Sequence, residues 1–147
     1  MAKNIITEIP IQAKPEKVWA ILTDFGNYPQ WNPFIPSIKG EVKPGNRIEI
    51  RIEPPNGKGM TFTPTVLAKV ENKELRWLGK LFFSGLFDGE HKFELVDNGN
   101  GTVKFIQSEK FTGVFVGLFI FLDFFNPEKT QKGFIEMNEK LKALSEQ

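Results

Sequence analysis

Apolar and polar positions change period several times along the chain, and each change predicts an element. Lys3 to Ile11 alternates weakly, with Ile5, Thr7, Ile9 and Ile11 on one side and Ile6, Glu8 and Pro10 on the other, as a strand with one buried face does. In AKPEKVWAILTDF the period lengthens. Pro15 suits a first helical turn, and Val18, Ile21, Leu22 and Phe25 fall on one stripe with Trp19 at its flank. Prolines 29, 33 and 36 allow only a short helical turn and an extended stretch in GNYPQWNPFIP. Ile48, Ile50 and Ile52 against Arg47, Glu49, Arg51 and Glu53 predict a half-buried strand, followed by a turn at PPNGKG. Phe62 to Val70 and Leu75 to Phe83 read as two further strands joined by ENKE.

Leu86–Val96 and Thr102–Phe111, separated by DNGNG, predict a hairpin, because Asn and Gly tolerate the positive φ that a tight turn demands. With Val96 facing Thr102, Glu94 opposes Lys104 and Asp88 opposes Lys110 outside, while Leu95/Val103, Phe93/Phe105 and Phe87/Phe111 pair inside. The inner side then also carries His91 opposite Gln107, with Glu109 beside Gly89.

Beyond the hairpin, GVFVGLFIFLDFF (113–125) gathers five of the fifteen phenylalanines. It is shorter than the roughly twenty apolar residues of a membrane span, and Asp123 interrupts it, so a span is not expected. A helix with Phe115, Phe119 and Phe121/Leu122 on one face would bury most of these rings inward, as an apolar lid or an extra helical turn over one end of an internal cavity. Asn126-Pro127 then starts a last helix with Thr130, Phe134, Met137, Leu141 and Leu144 on one stripe. Strand, helix, antiparallel strands and a long C-terminal helix predict an α+β fold, a curved sheet wrapping that helix, in one domain spanning 1–147.

Composition narrows the function. Nineteen Lys+Arg against 18 Asp+Glu leave a formal charge of +1, so no basic face for nucleic acid is expected. No cysteine and a single histidine exclude disulfides, zinc–thiolate sites and a multi-histidine metal cage. Glu49, Glu53, Asp88, Glu90 and Glu94 fall on outward strand positions beside Lys or Arg, so no metal is expected; no cofactor is expected either, since NGKG and NGNG lack the lysine and hydroxyl of a phosphate loop. No Gly-x-Ser-x-Gly elbow is present. The N-terminus lacks a long apolar region and a small-residue cleavage site, and a cytoplasmic protein is expected.

PEKVWAILTDFGNYPQWNPF, LRWLGK, SEKFTG and GFIEMNEKLKAL, together with this element order, resemble the START-like (SRPBCC) superfamily over nearly the whole chain. WNPF and SEKFTG look most like its bacterial polyketide cyclase/dehydrase-like subgroup. The resemblance implies a helix-grip fold with an internal cavity, and it places Tyr28, Trp31 and Asn32 near the cavity mouth. It does not choose among the lipids, sterols, polyketides and hormones that the superfamily holds.

The leading expectation is binding or transport of a hydrophobic small molecule. Trp31, Phe62, Val66, Trp77, Phe87, Phe93, Phe105, Phe111, Phe115, Phe119, Phe134 and Met137 would supply apolar contact, and His91, Gln107 and Glu109 a polar patch that orients the ligand. An alternative is a cyclase or dehydratase in which His91 or Glu109 moves a proton. Against both stands the reading in which His91 and Glu109 merely satisfy each other. A third alternative keeps the 113–125 segment exposed for membrane or protein contact. A monomer or weak dimer is expected.

Overall fold

The computed structural model describes residues 2–81, 83–123 and 125–147. Strand β1 (Ala2–Ile11) leads into α1 (Pro15–Leu22), a 3₁₀ turn at 25–27 and the single-turn α2 (Tyr28–Trp31). Six strands or strand fragments follow: β2 (Ser37–Lys39), β3 (Glu49–Ile52), β4 (Met60–Phe62), β5 (Thr65–Val70), β6 (Glu74–Leu81) and β7 (Phe87–Asp97). Then come β8 (Val103–Thr112), α3 (Val116–Phe121) and the long α4 (Pro127–Ser145). The main sheet is antiparallel and five-stranded, in the order β1-β8-β7-β6-β5; β2-β3-β4 form a second sheet.

Phe62 to Val70 is not one strand. Pro64 cannot donate a ladder hydrogen bond, and the chain changes sheets there, pairing β4 with β3 and β5 with β6. The Ile48 N–H reaches the Pro64 carbonyl at 3.0 Å and the Val66 N–H reaches the Asn46 carbonyl at 2.9 Å, which stitches the two sheets together. β6 ends at Leu81, so exposed Phe83 lies beyond it and Phe82 lies outside the described residues.

The β7/β8 hairpin keeps its predicted faces but not its predicted pairs. Asp97 faces Val103, so His91 opposes Glu109, Phe93 opposes Gln107 and Leu95 opposes Phe105. On the outside Glu90 faces Lys110 and Val96 faces Lys104, in place of the expected Asp88/Lys110 and Glu94/Lys104 pairs. The turn chemistry accounts for the shift. Asn98 N–H bonds the Thr102 carbonyl at 3.0 Å, and Asp97 and Asn100 side chains accept from the Gly99 and Thr102 N–H groups at 2.9 and 3.2 Å. The loop therefore moves one residue onward, and because both strands move together the inward set is unchanged. Glu94 pairs with Lys92 at 2.7 Å and Glu90 with Arg76 at 2.9 Å; these hydrogen bonds are the main reason both cations are held above their ordinary pKa.

Helix α4 starts where Asn126 Oδ1 accepts the Lys129 N–H at 3.1 Å, ahead of Pro127 at the first position. Its buried stripe is Gly133, Phe134, Met137, Asn138, Leu141 and Ser145. Full burial of Phe134, Met137 and Leu141 is worth about 1.5–3 kcal/mol each. Gly133 belongs to this seat. A Cβ there would stand 2.2 Å from the Phe34 ring, which meets Phe134 edge-on at 5.3 Å. On α1, Val18, Trp19 and Leu22 are buried, so the predicted flank residue Trp19 is core, while Ile21 is only half-buried.

The 113–125 segment departs from expectation. Gly113 takes a φ of +129°, bringing the chain so close to Leu86 that a Cβ would meet its carbonyl oxygen at 2.3 Å. The short α3 buries Val116 completely and packs Phe119 on Phe87 at 5.1 Å, but Phe121 is 84% and Leu122 53% exposed. Phe121 and Leu122 do not share the inward face of Phe115 and Phe119: a six-residue helix has room for one buried stripe, and Val116 and Phe119 take it. Phe124 lies outside the described residues.

Candidate functional site

The inner face of the main sheet carries its polar residues in one connected chain. His91 Nδ1 lies 2.7 Å from Glu109 Oε1 and His91 Nε2 lies 3.1 Å from Gln107 Oε1. Gln107 Nε2 donates to Asn138 Oδ1 at 2.7 Å, Asn138 Nδ2 donates to Thr7 Oγ1 at 2.9 Å, and Thr7 donates to the Gln107 carbonyl at 3.1 Å. Strands β1, β7 and β8 and helix α4 each contribute a member. His91, Gln107, Asn138 and Thr7 are all buried, which is compatible with stability because each finds a partner.

The backbone end of this chain sets its polarity. A carbonyl only accepts, so the Thr7 hydroxyl proton is committed to Gln107 O and Thr7 Oγ1 must receive the Asn138 amide N–H. Asn138 therefore turns its oxygen to Gln107, and Gln107 turns its oxygen to His91. It follows that His91 Nε2 carries a hydrogen. A single remaining proton then lies between His91 Nδ1 and Glu109 Oε1, giving either an imidazolium–carboxylate pair or a neutral imidazole beside a carboxylic acid. The Trp77 ring stacks on the imidazole at 4.9 Å and 11°. Phe93 and Phe134 close its other sides edge-on at 4.8 and 5.2 Å.

Glu109 is the chain's outlet. Its side chain is 18% exposed, and its second oxygen, Oε2, has no hydrogen-bond partner among the described residues. That oxygen lies over Gly89, where a Cβ would stand only 2.6 Å away. Gly79 pairs directly with Gly89, so two neighbouring inward positions of the sheet carry no side chain beside the carboxylate. Past Gly89 the wall is aromatic. Phe111 packs on Phe125 at 4.1 Å and on Phe87 at 5.7 Å, and Phe87 meets Phe119, which meets Phe115 at 5.7 Å.

The predicted site residues thus form two groups. Trp77, His91, Phe93, Phe105, Gln107, Phe134 and Met137 make a closed centre in which Phe93, Phe105, Phe134 and Met137 are fully buried. Phe87, Phe111, Phe115 and Phe119 make an aromatic cap, and Glu109 stands between the two groups. Val66 pairs with Trp77 at the margin. Phe62 lies in the second sheet, half-buried, opposite Ile50. Trp31 packs on Tyr28 at 5.2 Å on α2, and its buried Nε1 lacks a partner among the described residues. Asn32 Oδ1 accepts from the N–H groups of Phe34 and Ile35 at 3.1 and 2.8 Å, and its buried Nδ2 lacks a partner among the described residues.

Asn138 and Thr7 escaped the sequence reading of the site. Their signals were a polar residue on the apolar stripe of α4, four after Phe134 and three before Leu141, and a threonine among the isoleucines of the first strand. None of the predicted contact residues lines either of two surface grooves among the described residues. One, of about 610 Å³, lies among Pro15, Glu71, Asn72, Glu94 and Asp97. The other, of about 380 Å³, lies behind the cap among Lys3, Ile120, Asp123, Phe125 and Pro127. Among the described residues no group of three or more His, Asp or Glu is gathered for a metal, and no helix is long and apolar enough to cross a membrane.

Comparison with known proteins agrees with this architecture. A START superfamily protein from Mycobacterium smegmatis superposes with a TM-score of 0.72 at 18% identity, covering 97% of each chain. Norcoclaurine synthase from Thalictrum flavum, solved with dopamine and hydroxybenzaldehyde, gives 0.71 at 12% identity over 98% of this chain and 86% of that one. A di-domain ARO/CYC protein of the steffimycin biosynthetic pathway gives 0.68 at 12% identity, over 97% of this chain and 51% of that one. These likenesses establish the fold alone. No curated protein matches the sequence. The family model described as polyketide cyclase/dehydrase and lipid transport matches residues 4–146, and the chain belongs to that family.

Proposed function

We propose that the protein binds an elongated apolar small molecule between the inner face of the sheet and α4, with a hydrogen-bond-donating head group, a hydroxyl or an ammonium, on Glu109 Oε2. The observation that carries this reading is the divided carboxylate. One oxygen is held by His91 and the other lies over Gly89, which carries no side chain, at the boundary of an aromatic cap. A buried polar network that served packing alone would close on itself, as this one does at Thr7. At Glu109 it leaves an acceptor over. The family description, which covers lipid transport, supports an apolar ligand class.

In the closed arrangement Phe119 and Phe125 occupy the space beside Phe87 and Phe111. Admission of a ligand then requires movement of the segment between Gly113 and Asp123, both of which hold positive φ. The aromatic faces given up by the cap are replaced by the ligand's chain at about 25 cal/mol per Å² of apolar surface. Competition of dodecylamine, dodecanol and dodecanoate against an uncharged fluorescent apolar probe tests the reading. The amine and alcohol are expected to displace it and the carboxylate to bind far more weakly; equal displacement by all three, or none, refutes it.

A second reading rests on the single proton between His91 and Glu109. Such a pair can take a proton from a bound substrate at Glu109 Oε2 and return it elsewhere, as a cyclase or dehydratase requires. The family description covers that chemistry too. Turnover that disappears in both Glu109→Gln and His91→Phe, while probe binding persists, would establish it.

A further inference from the structure

The described apolar residues of the cap that face outward gather at one end of the molecule. Val114 is 70%, Leu118 47%, Phe121 84% and Leu122 53% exposed, and Phe83, 77% exposed, belongs to the neighbouring β6–β7 loop. The two loops are joined: the Val114 and Phe115 N–H groups donate to the Gly85 and Leu86 carbonyls at 3.1 and 2.9 Å. The surface is therefore one apolar tip built from two adjoining segments.

We propose that this tip docks into the boundary region of a phospholipid bilayer, lying in the interface without spanning it. Three features favour lipid over a protein partner. First, neither Leu81–Phe87 nor Phe111–Leu122 contains a charged residue, so these two segments offer a protein partner no ionic contact of their own. Second, much of the backbone at its summit is paired internally. Phe119 N–H bonds Phe115 O at 2.9 Å, Leu122 N–H bonds Leu118 O at 2.9 Å and Asp123 N–H bonds Ile120 O at 3.1 Å, as a medium that offers no hydrogen-bond partners demands. Third, exposed lysines stand on the strands that carry the tip: Lys3 opposite Phe111, Lys80 next to Leu81, and Lys110 just before Phe111. Asp88, which faces Lys80 and accepts the Gly85 N–H at 3.1 Å, and Asp123 and Glu128 offset part of this charge, so apolar insertion dominates and anionic lipid adds to it.

Co-sedimentation of the full chain with phosphatidylcholine vesicles, with and without a minority of phosphatidylserine, tests the proposal. Wild type is expected to bind both, more strongly with phosphatidylserine. A phenylalanine moved out of water changes an equilibrium constant roughly ten- to hundredfold, so Leu118→Asp/Phe121→Asp is expected to lower partitioning by at least about tenfold. Both positions are exposed, and an unchanged circular dichroism spectrum and melting curve will show that the variant folds. Val70→Asp alters an exposed apolar side chain at the far end of the β5–β6 hairpin and is expected to bind as wild type does. Absence of vesicle binding by wild type overturns the proposal. So does undiminished binding of the double variant, or a solution dimer that the double variant dissociates, since a second copy would then be the occupant.

Discussion

Replacing Asn138 with leucine removes the middle of the buried polar chain while keeping the number and branching of its side-chain heavy atoms. Gln107 Nε2 loses its 2.7 Å bond and retains only a marginal approach to the Phe134 carbonyl at 3.5 Å. Since Gln107 is fully buried, that loss costs about 1–3 kcal/mol. Thr7 loses an incoming donor but keeps its own bond to Gln107 O, adding roughly 0.5–1 kcal/mol. The extra apolar surface of leucine returns about 1 kcal/mol, leaving a net destabilisation of about 2 kcal/mol. Urea denaturation monitored by tryptophan fluorescence is expected to show this loss at unchanged m, together with a melting temperature lower by about 4–8 °C. In Thr7→Val/Asn138→Leu the two costs should sum to less than the singles, because both substitutions break the same bond. A single-variant loss below about 0.5 kcal/mol, or strict additivity, would refute the directed network and with it the assignment of hydrogen to His91 Nε2.

Other substitutions probe the seat of α4, the glycine gap and Tyr28. Gly133→Ala gains roughly 1 kcal/mol of helix propensity but drives a methyl into buried Phe34, so overpacking of about 1–3 kcal/mol should win and thermal melting should move down. Gly89→Ala would meet Glu109 Oε2 at 2.6 Å, so the carboxylate must turn against its bond to His91; both stability and the preference for dodecylamine over dodecanoate should fall. Gly79→Ala, with nothing closer than 3.8 Å, should leave both unchanged. Burial, helped by the charge of Asp24, holds the Tyr28 hydroxyl far above its ordinary pKa of 10.0. The unfolded chain therefore gives up this proton first, and the contribution is complete below about pH 10 and declines above it by about 1.4 kcal/mol per pH unit. Denaturation midpoints of Tyr28→Phe against wild type from neutral to alkaline pH should show a gap that narrows and then reverses above that point.

Periodicity made the order of elements and the inward face of the hairpin legible, since a shift of one residue in each strand leaves side-chain direction untouched. Pair identity was less accessible, because it depends on Asp97 and Asn100 accepting from the turn backbone. The division between β4 and β5 was written in Pro64, which was outweighed by the apolar residues around it. Phe121 was misread because helical spacing fixes which residues share a face but not which face a six-residue helix buries. His91, Gln107 and Glu109 stood out as polar residues on a greasy strand face. Asn138 did not, since one asparagine on a helix reads as solvent until its neighbours across the sheet are known.

The central claim concerns Glu109 Oε2, and nitrogen-15 NMR of the His91 side chain reports on it most directly. Titration with dodecylamine is expected to shift the Nδ1 resonance in a saturable manner, since the amine bonds the carboxylate that shares a proton with Nδ1, while Nε2 moves much less. Glu109→Gln should abolish that response. Shifts confined to backbone amides around the two surface grooves, with His91 Nδ1 unmoved at saturation, would contradict the account.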